Sequence, residues 1–255
     1  MATIKWDHIV HYVNDLDATI ETFKENGLIA FRGGSHKEWG TFNSLSYFGL
    51  SYIEFLGVEN HELAIEAAPT NLIVEDSVKL LPEKESLSRI AIRTDDIEEV
   101  AATLKERGLE LSPILDGKRL NTHGQLIQWR MMTIKGHFQG LNYPFVIQWI
   151  GTDEERLESL TASKIIHPHP AGEIVLKNGI FRVDDPHATA NHWRKLFSLS
   201  EVSSDSDSVT LGFGEHQLIF ERGDANQLVK IEFQTDSDEL KGKTIVIGEG
   251  EYSFK

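Results

Sequence analysis

A pattern that returns after 81 residues constrains this chain more than any other feature. Asp15-Leu16, Phe23 and Gly27 recur as Asp96-Ile97, Leu104 and Gly108, and each set follows a short alternating apolar run. The repeated unit reads as a strand followed by an amphipathic helix. In the first copy Leu16, Ile20 and Phe23 fall on one helix face, with Gly27 where a left-handed C-terminal cap is expected. In the second, Ile97, Val100 and Leu104 form the stripe before Gly108. A third copy lies 170 residues after the first: Asp185-Pro186 opens a helix carrying Ala190, Trp193 and Phe197, proline suits the first turn, and the terminal glycine is missing. A strand near Lys230 to Phe233, an acidic turn and a last strand through Ile245 to Ile247 read as a truncated fourth copy.

Strands follow each helix. Leu28 to Arg32, Thr41 to Phe48 and Tyr52 to Val58 are expected in copy one, Leu126 to Ile134 and Phe145 to Ile150 in copy two, and Val209 to Phe213 and Gln217 to Glu221 in copy three. Residues 60 to 85 read as an acidic connection, and 152 to 172, with its His-Pro-His-Pro, as a joint that makes His167 and His169 linker residues. The expectation is an α+β chain of tandem βαβββ modules, with modules one and two over 1–155 and a third plus a truncated fourth module over 172–255.

A chain of 255 residues, 40% hydrophobic and 25% charged, can bury a sizeable core. The opening Met-Ala-Thr-Ile-Lys-Trp lacks a secretory leader, and no run approaches the roughly 20 apolar residues of a membrane span, so a cytoplasmic location is expected. With no cysteine there can be no disulfide, thiolate nucleophile or thiolate metal site. The formal charge of −15 disfavours nucleic acid and anionic membranes as partners, which leaves a small molecule and a possible homodimer.

Asp7-His8-Ile9-Val10, the helix start Asp15-Leu16-Asp17, Gly33-Gly34-Ser35-His36-x-x-Trp39-Gly40-Thr41-x-Asn43 and Tyr52-Ile53-Glu54-Phe55 together resemble the glyoxalase-like branch of the vicinal-oxygen-chelate superfamily, over about residues 4 to 170. Trp129-Arg130 and Pro144-Phe145-Val146-Ile147-Gln148-Trp149 also fit that branch. The resemblance implies two modules that pair their sheets into a U-shaped cleft with a divalent metal at its floor; the C-terminal pair is then degenerate. It places His8 and Glu54 at the ligand positions of module one, and Arg89 and Gln148 at those of module two.

Strand alternation gives a compatible arrangement. With Ile53 and Phe55 packed on the helices, Tyr52 and Glu54 point into the cleft; with Ile90 and Ile92 packed, Arg89 does so; with Phe145, Ile147 and Trp149 packed, Gln148 does so. His11 has the helix-facing parity. A catalytic metal needs about three ligands and an open position. His8, Glu54 and the Gln148 amide oxygen are candidates, with His36 as a further one, whereas the always-charged Arg89 would repel a dication and is expected to occupy the metal locus and pair with Glu54. Two states stay open: no metal, or one divalent ion (zinc, nickel, iron or manganese). Arg119 and Arg130 are candidates for an anion clamp or for surface ion pairs.

Three functions follow from the resemblance: an enzyme acting on a small oxygen-rich or electrophilic metabolite with Glu54 as ligand or base, a metal-free protein that captures a small molecule through Arg89, Gln148, Tyr52 and Arg130, and a ring-cleaving dioxygenase. The last lacks its second matching histidine.

Overall fold

The computed structural model describes residues 2–120 and 124–255. Module one is β1 (Ile4–Tyr12), α1 (Leu16–Glu25), β2 (Phe31–His36), β3 (Thr41–Phe48) and β4 (Ser51–Val58). The first post-helix strand lies three residues later than the apolar run Leu28 to Arg32 indicates, because Leu28 is buried under α1 rather than laddered. The connection expected at 60 to 85 contains α2 (His61–Ala67) and α3 (Leu72–Leu80), each started by an asparagine cap: Asn60 accepts from Leu63 N and Asn71 from Ile73 N.

Module two is β5 (Ser86–Thr94), α4 (Ile97–Glu106), β6 (Leu115–Leu120), β7 (Leu126–Thr133), a small hairpin β8 (His137–Phe138) and β9 (Leu141–Asn142), and β10 (Phe145–Trp149). After α5 (Asp153–Ala162), module three is β11 (Ile174–Val183), α6 (Pro186–Phe197), β12 (Ser200–Ser204), β13 (Ser208–Phe213) and β14 (His216–Arg222). Module four has β15 (Gln227–Thr235), β16 (Thr244–Ile247) and β17 (Gly250–Phe254), and a turn stands where its helix would be. The repeat is visible in the caps. Asp15, Asp96 and Asp185, equivalent at offsets of 81 and 170, each accept backbone N–H groups of the helix they open.

Modules one and two form one eight-stranded sheet ordered β2-β3-β4-β1-β5-β10-β7-β6, and modules three and four a seven-stranded sheet ordered β12-β13-β14-β11-β15-β17-β16. β1 and β5 pair antiparallel at the centre of the first, with Ile9 opposite Ile90. Those two residues are themselves 81 apart, so a local two-fold axis relates the modules.

The two sheets pack through the faces that also carry the helices. One continuous core contains Ile9, Ile53, Ile90 and Val146 from the first sheet, Phe23, Leu104 and Trp193 from the helices, and Phe181, Ile231 and Phe233 from the second sheet. Phe23 meets Phe55 at 5.0 Å and Tyr252 at 5.4 Å, edge to face, so its truncation to alanine would cost about 3–5 kcal/mol. Trp6 lies over Gly179, where a Cβ would come within 2.7 Å of the indole, and stacks on His216 at 5.3 Å. His11, on the same face, bonds Tyr252, and burial depresses its pKa to about 3. Among the described residues no helix is long and apolar enough to cross a membrane.

Candidate functional site

The opposite, concave face of the first sheet carries the site, and a bulge in β1 shapes it. Trp6 pairs with Ile92 and His8 with Ala91, which leaves Asp7 as an extra residue. Asp7 and His8 therefore both turn into the cleft. A second register shift, where Ser88 and Arg89 of β5 face Val10, is the same bulge one repeat later.

Asp7, His8 and Glu54 form a chain of buried charge. His8 Nδ1 lies 2.6 Å from Asp7 Oδ1, and its Nε2 lies 3.5 Å from Glu54 Oε2. Burial alone would strip the imidazole of its proton, but the hydrogen bonds and charges of both carboxylates outweigh it and raise the His8 pKa. Glu54 would be pushed up by burial. The bond and charge of His8, the proximity of His36 and the Asn43 amide, which donates to Oε1 at 2.6 Å, hold it instead at about 2. Asp7 is lowered too: against its burial stand Arg156, whose Nη1 is 3.3 Å from Oδ2, His8, and Arg93 at 4.0 Å. Trp149 Nε1 donates to the same oxygen at 3.0 Å.

Aromatic rings surround these charges. Tyr52 stacks on His8 at 4.4 Å, Tyr47 stacks on Tyr52 at 4.7 Å, and Phe145 approaches His8 edge-on at 5.4 Å. Trp129 lies between Trp39 at 6.1 Å and Trp149 at 5.9 Å. An inner chamber of about 50 Å³ holds His8, His36, Glu54, Tyr52 and the tryptophans, and Ile73 and Asn71 at the start of α3 close one end. It admits a few water-sized groups. An outer chamber of about 360 Å³ shares Leu45, Arg119 and Trp149 with it and is floored by α5.

The glycine pair has a steric role. The edges β2 and β6 meet across the mouth, where a Cβ on Gly34, whose φ is +146°, would stand 2.5 Å from the Leu120 carbonyl oxygen. Arg119 Nη1 donates to Gly33 O across this seam. The U is thereby nearly a closed barrel.

His8, Glu54, Tyr52 and His36 all line the cleft as the sequence indicates. His36 is buried, its Nδ1 is 3.0 Å from Thr41 Oγ1, and burial lowers its pKa to about 4, so the ring is neutral at pH 7. Three expectations fail. Gln148 lies on the other face, where its Oε1 accepts from Ile97 N at 3.4 Å and its Nε2 donates to Asp95 O at 2.6 Å, because Phe145, Ile147 and Trp149 are the residues that line the cleft. β10 is apolar on both faces, so its alternation carries no sign. Arg130 sits on that outer face beside Gln148 and pairs with Glu98, away from the cleft. Arg89 keeps the cleft-side parity but makes no bond to Glu54; its Nε lies 2.7 Å from Asp76 of α3 and its Nη1 donates to Tyr143 O at 2.8 Å.

Asp7, Asn43 and Arg156 are the site residues that the sequence reading missed. Residues 152 to 162 hold a helix with no buried apolar face, but Thr152 and Glu155 form a capping box, a local signal that marks its start. His169 is likewise no plain linker: it is buried, accepts from Ile29 N at 3.0 Å and sits 3.0 Å from Tyr47 O, which pins the connection to module one.

The donor set does not fit the divalent metal that the resemblance implies. His8 has both ring nitrogens on carboxylates, and module two turns Ala91, Phe145 and Ile147 toward the cleft, none of them a donor. Among the described residues no three His, Asp or Glu side chains are grouped to hold an ion.

A glyoxalase-like domain family model matches residues 6–197. A crystal structure of a hypothetical protein from Staphylococcus aureus is similar over 99% of both chains, at 23% identity and a TM-score of 0.86. The Mn(II)-bound glyoxalase from Novosphingobium aromaticivorans is similar over all of this chain and 82% of its own, at 10% identity and a TM-score of 0.58. A methylmalonyl-CoA epimerase from Streptomyces coelicolor matches 58% of this chain and 98% of its own, at 20% identity and a TM-score of 0.42. No curated protein matches the chain. The first two of these likenesses show the fold alone, an α+β chain of repeated βαβββ modules.

Proposed function

We propose, from the premise that this chain belongs to the glyoxalase-like domain family, that its cleft binds a small organic carbonyl compound and moves a proton on it without a metal. Glu54 takes the proton from the carbon next to the carbonyl, the electron pair moves into an enolate, and the His8 imidazolium donates to its oxygen. Return of the proton to the same carbon, with the oxygen proton going back to His8, restores the carbonyl compound; on an α-hydroxy carbonyl compound, delivery of that proton to the neighbouring carbon while His8 recovers a proton from the second oxygen gives the isomer, with no change of overall oxidation level.

The observation that carries the reading is the His8 ring held between Asp7 and Glu54 in a small chamber walled by aromatic rings. Charges so buried are costly to keep, and such perturbed groups concentrate where chemistry is done. The electrostatics run in the sense that enolisation needs: a carboxylate held ionised beside an imidazole whose hold on its proton is strengthened. A carboxylate held at about 2 is a weak base at rest, and that fact favours the second reading, capture of a ligand without turnover. The two groups titrate as a pair, however. As His8 passes its proton toward the substrate oxygen, Glu54 loses its cationic neighbour and gains basicity.

The test is deuterium wash-in at carbon, followed by proton NMR in D₂O, across a panel of small aldehydes, ketones and hydroxy-carbonyl compounds. Exchange is expected with the chelator-treated protein and should fall at least ~100-fold in Glu54→Gln. Binding without any exchange would select the capture reading, and equal exchange in the variant would remove Glu54 from the reaction.

A further inference from the structure

The outer chamber has mainly apolar walls, with Phe31, Leu45, Leu126, Ile127 and Trp149 among them, yet three guanidinium groups line it; Arg32 is paired with Asp17, which leaves Arg156 and Arg119. Arg156 reaches it from α5 with only 9% of its side chain exposed. Its plane stacks over the Trp149 ring at 4.3 Å, and Nη1 is tethered to Asp7 at 3.3 Å. Its Nη2 is buried without a hydrogen-bond partner, while the guanidinium as a whole also interacts with the Tyr47 phenol. A charged donor left without an acceptor in an enclosed space is unfavourable, and a ligand oxygen at that place would relieve it.

Arg119 faces the same chamber and gives one donor to the neutral carbonyl of Gly33, so among the described residues no carboxylate balances its charge. Both guanidinium groups line this chamber together with the Tyr47 phenol. The acid in this wall, Glu155, is occupied in capping its own helix, where Oε2 accepts from Thr152 N at 2.8 Å.

We propose that the outer chamber seats the carboxylate of an organic acid, held by Arg156 Nη2 and Arg119, with the acid's apolar body against Trp149 and the neighbouring aliphatic walls. The planar, charge-assisted match of guanidinium to carboxylate gives this site its selectivity. The assignment rests on the reading that the cleft takes a small organic carbonyl compound, and it makes that compound an acid.

The site is tested by calorimetric titration of the full chain with benzoate and phenylacetate against their uncharged shape matches, benzamide and phenylacetamide, and with inorganic phosphate. The acids should bind at least ~10-fold more tightly than the amides, and Arg119→Met should reduce that preference below ~3-fold. Arg156→Met should do the same; if it does not fold, Arg119→Met decides alone. Glu54→Gln should keep the preference, because Glu54 lines the inner chamber. Equal binding of acids and amides, an undiminished preference in Arg119→Met, or phosphate binding as tightly as benzoate overturns the proposal. A preserved acid preference in a protein that exchanges no carbon-bound proton separates this site from the proposed reaction.

Discussion

Replacing Glu54 by glutamine exchanges a carboxylate for a near copy of its protonated form, so the variant reports what the charge contributes. The carboxyl titrates at about 2 in the folded chain against an ordinary 4.5. That gap corresponds to about 3 kcal/mol of stability, shared between Glu54 and the His8 it faces. A lowered folded pKa means that the contribution is fully present above pH 4.5 and is lost as pH falls toward 2. Glu54→Gln should therefore be about 3 kcal/mol less stable than wild type at pH 7, only about 1 kcal/mol less at pH 3, and equal to it well below pH 2. Urea denaturation at each pH reads the difference directly. The His8 ring, followed by NMR, should titrate lower in the variant because one of its two carboxylate partners has gone. A stability difference that is the same at pH 7 and pH 3 would show that packing rather than charge was lost, and an unmoved His8 titration would refute the coupling.

Thr152→Ala removes the cap oxygen that Glu155 N reaches at 3.2 Å; it should cost about 1 kcal/mol in denaturant melts and weaken binding in the outer chamber by loosening Arg156. Arg89→Met leaves Asp76, whose side chain is 13% exposed, without its cation; a loss of about 3 kcal/mol is expected, with ligand binding in the cleft unchanged by calorimetry. Burial holds His11 at about 3 and His36 and His216 at about 4. Below pH 6.5 the unfolded chain takes up protons that these folded rings refuse, so urea midpoints should fall from pH 6.5 to pH 4. The raised pKa of His8 acts in the opposite sense, its contribution being complete below 6.5 and lost as pH rises through its folded value.

The repeat, the three aspartate caps, the module architecture and the place of His8 and Glu54 on the cleft face were legible in the sequence because each depends on local periodicity or on a short motif. Asp15, Asp96 and Asp185 bond to backbone groups two or three residues away, so no distant contact is needed to place them. Tyr52 and Glu54 were placed on the right face because β4 has a helix-packed side with a clear pattern. β10 has no such pattern, since the cleft wall it forms is as apolar as the core behind it, and Gln148 was put on the wrong face for that reason. Asp7 reached the site through a one-residue bulge, which shifts facing without leaving a compositional mark. Arg156 came from a helix without an apolar stripe, and Arg89 found Asp76 instead of Glu54 because α3, packed against β4, carries that carboxylate to it. These are choices between partners remote in sequence. Only the assembled sheets, by fixing which side chains share a small volume of low polarity, determine which charges must pair and which are left to face a ligand.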